Sequence, residues 1–269
     1  MSRLHLHILG SGSKGNCALI EGPQGLIMID DGLSRRETLK RMAELGLSAD
    51  NVSALLITHE HSDHIKGLDV WCKHWRGPLF ASRDTLASKA SIAHVPVEEF
   101  DPGDVLEIAG VRIQTYSTSH DVINPVGYRF DALGDSIGFA TDTGELSSHA
   151  IDTLKDCRVL ALESNHDVAM LRQGDYPRFL QERILSAKGH LSNDQAANAA
   201  RELVTVRTEQ LIAMHISQDN NRPSLTVKSY ARALDATLDD EIGSTATRHS
   251  GSRELTIRPA GQYRPMSIQ

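Results

Sequence analysis

The feature that most constrains this chain is a short apolar strand expected at Ala54–Thr58 that runs straight into His59-Glu60-His61-Ser62-Asp63-His64. Extended backbone sends residues i and i+2 to the same side, so His59 and His61 can offer two imidazoles to one cation from the strand's end. If the chain then turns into a helix, Asp63 and His64 are aimed together at a second point nearby. Neutral imidazole and carboxylate are borderline-to-hard ligands, right for zinc and acceptable to manganese or iron. The plain alternative is a solvated, charged loop at a helix start. Three histidines and an aspartate crowded into one such loop argue against it.

Hydrophobic periodicity places this cluster in an α/β chain. Leu4, Leu6 and Ile8 alternate with His5 and His7, which reads as a half-buried strand with the two histidines on its polar face. Strands are expected at Ala18–Glu21 and Leu26–Asp30, and Ser34 with Glu37 forms the capping box of a helix that stops at Gly46. Ile65–Trp75 and a segment near Thr85–Ile92 read as helical. β patterns follow at Leu79–Ala81, Val105–Ile108, Val111–Ser117, Val126–Asp131, Ser136–Thr141, Val159–Glu163 and Gln210–Met214. Helices are expected within 167–187, from Ser192 to Val204 behind a second capping box (Ser192, Gln195), and over Leu225–Leu238. Strands and helices thus come in two rough halves, which suggests two sheets packed face to face with helices outside, an αββα sandwich. Residues 1–240 are expected to form this catalytic domain. Residues 241–269, rich in Ser, Thr, Gly and Arg, read as a loosely attached tail with one strand at Leu255–Ile257.

Composition excludes rather than selects. The formal charge of −7 argues against a protein whose main work is coating nucleic acid, though not against an enzyme that grips a few phosphates. Three cysteines, Cys17, Cys72 and Cys157, lie too far apart for a zinc knuckle and are odd in number, so buried thiols and a cytoplasmic location are expected. No apolar run is long enough to suggest a signal sequence or a membrane span. Gly10-Ser11-Gly12-Ser13-Lys14-Gly15 fits the dinucleotide fingerprint, but a strand pattern follows at Cys17–Ile20 where a helix is required, so no nicotinamide cofactor is expected. A tight turn whose backbone N–H groups lie near the metal site fits better.

The His59-x-His61-x-Asp63-His64 pattern resembles the signature of the metallo-β-lactamase superfamily. The superfamily's other motifs occur in order: Asp30 in Ile29-Asp30-Asp31-Gly32, His120 in Ser119-His120-Asp121, Asp142 in Thr141-Asp142-Thr143-Gly144, and His215 after a strand. The resemblance is closer to the YycJ/WalJ-like branch of predicted 5′-exonucleases acting on DNA. It is carried by Leu9–Asn16, Glu163-Ser164-Asn165-His166-Asp167, Gly189-His190-Leu191-Ser192-Asn193 and His215–Asn221. Asp31 departs from the pattern, where a small residue is more usual.

The resemblance implies two divalent ions, zinc or manganese. One is held by His59, His61 and His120, the other by Asp63, His64 and His215, with Asp142 between them and Asp30 orienting the loop. It also implies that Glu163 and His190 lie beside the scissile phosphate as candidates for protonating the leaving oxygen. A buried strand-end carboxylate paired with a base is the competing reading of Glu163, and a residue beside a helix cap that of His190. Redox relatives resemble H-x-E-x-D, whereas His61 fills that slot here, which favours hydrolysis. Arg172, Arg178, Arg183 and Lys188 could grip phosphates or be ordinary solvated charge. The expected function is phosphodiester hydrolysis, with DNA as substrate. Small cyclic or nucleotide phosphodiesters are the alternative, and a non-catalytic partner protein retaining the fold is a third. The sequence does not speak to oligomeric state.

Overall fold

The computed structural model describes residues 3–87, 89, 92 and 95–269. It divides into two compact units, the first built from Met1–Ser117, Val122–Asp135 and Gly261–Gln269, the second from Thr118–Asp121 and Ser136–Ala260.

The first unit carries strands β1 (His5–Gly10), β2 (Cys17–Gly22), β3 (Gly25–Ile29), β4 (Val52–Ile57), β5 (Leu79–Ser82) and β6 (Val97–Phe100). With β16 (Met266–Ile268) they make a seven-stranded sheet in the order β16-β1-β2-β3-β4-β5-β6. The β1–β2–β3 part is antiparallel, as its tight turns require. From β3 to β6 the pairing is parallel. Helix α1 (Arg35–Glu44) starts where expected, with the Ser34 hydroxyl accepting from the Glu37 N–H. The reciprocal half of that capping box is missing, because the Glu37 carboxylate turns to Arg41 instead. Met42, Leu68 and Trp71 pack against Leu55, Ile57 and Leu79 to form this unit's core. A meander of β7 (Val105–Ile108), β8 (Val111–Ser117) and β9 (Val126–Ala132) completes it.

Ile65–Trp75 is not one helix. Helix α2 (Ser62–Ile65) stops and α3 (Leu68–His74) restarts around Lys66-Gly67. There the Gly67 N–H donates to Asp31 O at 2.7 Å, and a Cβ on Gly67 would sit 2.0 Å from Leu33 O. The loop after β3 therefore presses on the helix, and only glycine lets it approach. Arg83–Ala87 form turns, while much of the helix expected near Thr85–Ile92 falls outside the described residues.

The second unit carries β10 (Asp135–Ala140), β11 (Val159–Glu163) and β12 (Gln210–Met214), with β13 (Thr237–Leu238), β14 (Ala246–Ser250) and β15 (Arg253–Pro259). Strands β10, β11, β12 and β15 pair in parallel, and β14 and β13 add antiparallel at one side. Its helices are α4 (Ser148–Leu154), α5 (Val168–Gln173), α6 (Arg178–Leu185), α7 (Asn193–Leu203) and α8 (Pro223–Leu234). The Ser192–Gln195 capping box opens α7 with both reciprocal bonds in place. Helix α8 ends earlier than expected, at a left-handed Asp235 (φ 54°), so Thr237–Leu238 can pair with β14.

The tail corrects the sequence reading most clearly. Residues after Asp239 are not a loose appendage but supply β14, β15 and β16. Leu255, Ile257, Ala246 and Ile268 are buried, and β15 pairs with the central strand β12. Serine, threonine and arginine on the exposed face of each strand hide this in a composition-based reading, because every second residue of a half-covered strand is solvated. Among the described residues no helix is long and apolar enough to cross a membrane.

Candidate metal centre

In the first unit the histidine loop leaves β4 at Ile57 and hangs on one buried carboxylate. Asp30, at the end of β3, accepts from the Thr58 N–H and the Thr58 hydroxyl, both at 2.8 Å, and from His64 Nδ1 at 2.7 Å. Since the Thr58 proton goes to Asp30, Thr58 Oγ1 accepts from His59 Nδ1 (3.1 Å). One carboxylate thereby fixes the outer nitrogen of two imidazoles and leaves the opposite nitrogen of each with its lone pair turned away. Burial pushes the Asp30 carboxyl up from its ordinary value, against the pull of the His64 imidazole and the Thr58 bonds.

The nitrogen so released on His59 meets a third ring of the loop. His59 Nε2 and His61 Nδ1 lie 3.2 Å apart. Two ligands of one tetrahedral ion, each about 2.05 Å from it, sit about 3.3 Å apart. The pair therefore already has the separation that a shared ion needs. His64 Nε2 and Asp63 Oδ2 are 3.5 Å apart, and the Asn16 amide donates to both, at 3.0 and 3.1 Å. A hydrogen-bond donor thus stands where two ligand lone pairs meet, which is the place a cation would take. The residues present fit a metal.

Asn16 and Thr58 were not singled out by the sequence. The Gly-Ser turn after β1 serves to place Asn16: its Oδ1 accepts from Gly12 N (2.8 Å) and its own N–H donates to Asp63 O (2.7 Å). Backbone N–H groups of this turn were expected near the site; the Asn16 N–H meets the loop backbone there, and the Asn16 side chain reaches the ligand atoms themselves. Gly32 permits the approach, since a Cβ there would lie 1.6 Å from Asp63 O. Nothing in a single sequence distinguishes Asn16 or Thr58 from ordinary turn and strand-end residues.

Asp31 is fully buried, and its carboxylate accepts from Thr38 Oγ1 at 3.2 Å. Burial pushes its carboxyl up to about 7.

The second unit gathers His120, Asp142, Glu163, His190 and His215. Glu163, the last residue of β11, is fully buried. Its Oε2 accepts from the Thr143 and Leu191 N–H groups (3.0 and 3.1 Å). Its Oε1 meets His190 Nδ1 at 2.8 Å and His215 Nδ1 at 3.0 Å. Burial raises this carboxyl, but the two imidazoles and their bonds more than offset it and hold it below the ordinary carboxylate range. A group this deep acts through its partners: it orients two rings. Asp142 Oδ1 lies 3.2 Å from His215 Nδ1, 3.8 Å from His190 Nδ1 and 3.9 Å from His120 Nε2. His120 Nδ1 donates to Gly189 O (3.0 Å), which turns Nε2 toward Asp142.

Backbone strain marks the same positions. Asp30, Asp142 and His215 have φ of 58°, 52° and 50°, in the left-handed region that non-glycine residues seldom occupy. Each follows the end of a parallel strand, where the chain must turn sharply while aiming its side chain back at the strand ends. Such strain, about 1–3 kcal/mol per residue, persists only where the surroundings over-determine it. The grip residues divide: Arg183 is tied to Asp121 through two guanidinium nitrogens, while Arg172, Arg178 and Lys188 are exposed.

Comparison with known proteins agrees with this geometry. Residues 26–216 match the Beta-lactamase superfamily domain. The chain is 35% identical over 236 residues to the exodeoxyribonuclease YycJ of Bacillus anthracis, covering 86% of this chain and 89% of that one. It is 33% identical to the exodeoxyribonuclease WalJ of Streptococcus pneumoniae over 80% of this chain and 82% of that one. Among solved structures, the metallo-β-lactamase fold protein YhfI of Bacillus subtilis superposes with a TM-score of 0.69 at 14% identity, covering 99% and 100% of the two chains. The α/β class expected from the sequence is the class observed, with two mixed sheets and helices packed along them. The chain belongs to the metallo-β-lactamase superfamily, in its YycJ/WalJ-like branch.

Proposed function

We propose that this chain is a binuclear metal-dependent hydrolase of phosphodiester bonds that acts on DNA as an exonuclease. His59, His61 and His120 would hold one divalent ion and Asp63, His64 and His215 the other, with Asp142 a carboxylate available to both. The observation that carries this reading is the 3.2 Å approach of His59 Nε2 to His61 Nδ1, with the His59 ring held at Nδ1 by Thr58 so that its ligand nitrogen faces His61. A donor set of imidazoles and carboxylates without thiolate suits zinc and manganese alike. Two bound ions supply water acidified enough to attack near neutral pH and neutralise the phosphate's charge.

The chain's own residues do the remaining work. Asp30 keeps the His64 ring from rotating directly and the His59 ring through Thr58. Glu163 holds His190 by Nδ1, so that His190 Nε2 can give a proton to the leaving oxygen. His190 is half-buried rather than sealed, so a substrate can reach it. Arg172, Arg178 and Lys188 are exposed, as is Phe179 beside Arg178 on α6 (72%), and they offer cations and an aromatic face for gripping single-stranded DNA. DNA as substrate is supported by the two exodeoxyribonuclease relatives, whose similarity extends over most of both chains. The three cysteines are buried thiols, which suits a reducing cytoplasm.

Purified protein supplied with zinc or manganese and offered 5′-phosphorylated single-stranded DNA beside a generic phosphodiester tests the proposal. Stepwise release of mononucleotides is the expected result. Cleavage of the small ester alone would move the substrate to small phosphodiesters, which the net charge of −7 also suits. Turnover of neither would leave a non-catalytic protein.

A further inference from the structure

We propose that His5, His7 and Glu21 form an additional zinc-class metal site on the first sheet, separate from the hydrolytic centre. Strand alternation puts His5 and His7 on one face of β1, opposite the buried Leu6 and Ile8. The antiparallel register sets Glu21 of β2 directly across from His5, so its carboxylate lies on the same face.

Glu21 Oε2 is 3.2 Å from His5 Nδ1 and 3.1 Å from His7 Nε2. Zinc bonds of about 2.0–2.2 Å to nitrogen and oxygen put the corners of a tetrahedron about 3.3–3.5 Å apart. Two edges of such a figure are thus preformed to within a few tenths of an ångström. One ring is also braced from behind: His7 Nδ1 bonds Ser267 Oγ of β16 at 2.7 Å, the outer bond that orients metal-bound imidazoles. The His7 side chain is 6% exposed, whereas those of His5 and Glu21 are 31% and 45% exposed. Solvent therefore reaches the open corner, where water can complete the coordination. Burial also holds the His7 imidazole below its ordinary value, so its ring is neutral and able to ligate near pH 7. An ion here joins β1 to β2 directly, and to β16 through Ser267.

The competing account is a plain hydrogen-bonded trio in which protons do what the ion would do. Zinc itself is the probe. Protein already loaded at the hydrolytic centre is dialysed against micromolar zinc, and bound metal is counted against protein. The wild type should take up one further equivalent. His5→Gln and Glu21→Gln should each lose it while keeping the hydrolytic rate. Both substitutions are at part-exposed, hydrogen-bonding positions, and an unchanged melting curve without zinc shows that the fold is retained. The extra equivalent should survive in His59→Ala, which separates it from the hydrolytic centre. Cobalt in place of zinc should give the absorption of a tetrahedral nitrogen–oxygen site in the wild type, and that band should vanish in Glu21→Gln. The same metal count in wild type and Glu21→Gln, or no extra equivalent in the wild type, overturns the proposal.

Discussion

His-x-His is written twice in the first unit, and the two copies are held differently. His5 and His7 sit inside a strand, with ring centroids 6.2 Å apart, and meet only through Glu21 of the neighbouring strand. His59 and His61 sit just past a strand's end, with centroids 4.9 Å apart and nitrogens in direct approach. Spacing is the same; backbone is not. A regular strand keeps i and i+2 side chains parallel and apart, whereas the turn into α2 tips His61 toward His59. The partners differ too. His59 rests through the Thr58 hydroxyl on a buried carboxylate, whereas the strand pair shares one half-exposed glutamate, with Ser267 behind His7. A two-residue spacing alone therefore does not say how strongly a metal is held.

The sharpest way to break this contrast is to remove one histidine from each copy. His61→Ala should abolish phosphodiester hydrolysis and lower the metal retained after dialysis, while His5→Ala should leave hydrolysis unchanged. Equal losses from the two would erase the distinction. His190→Ala should slow turnover by roughly 10²–10⁴ with metal content intact. If metal is lost instead, His190 is a ligand, and His215 loses that role. Asp30→Asn keeps the shape but weakens the grip on Thr58 and His64. Metal affinity measured with a competing chelator should fall by about 10–100-fold, whereas Ser267→Ala, behind His7, should leave the hydrolytic centre untouched.

The smallest effect belongs to Asp31, neighbour of Asp30 but without its partners. Its folded value of about 7 lies above the roughly 3.9 of an unfolded aspartate. Between those values the folded state binds the proton more tightly, so stability falls as pH rises through that window and stays low above it. Asp31→Asn should therefore melt higher than the wild type at pH 8 by thermal denaturation, and the two curves should converge near pH 4. A gap independent of pH would mean that Asp31 is ionised when folded. Asp30 and Asp31, adjacent in sequence, would then differ less than their partners indicate.

Much of this was legible in the residues. Periodicity located β11 and β12 to the residue, and the Ser192–Gln195 box opened α7 as read. The dense run from His59 to His64 announced a metal loop because its ligands are contiguous. Illegible were features fixed by contacts between distant segments. The β15 strand was read as loose because its partner, β12, lies some forty residues upstream. The break between α2 and α3 comes from the loop after β3 pressing on Gly67, which helix propensity does not register.

The sequence by itself determined which atoms are available: imidazoles and carboxylates in a fixed order, at the ends of apolar strands, with no thiolate among them. Tertiary structure alone decided which of those atoms face one another. It buried Glu163 so that it steers His190 and His215, brought Asn16 between Asp63 and His64, and forced Asp30, Asp142 and His215 into left-handed backbone. The reason is physical: ligand type is a property of a residue. Ligand direction is a property of the strand end and of the long-range hydrogen bonds that hold it.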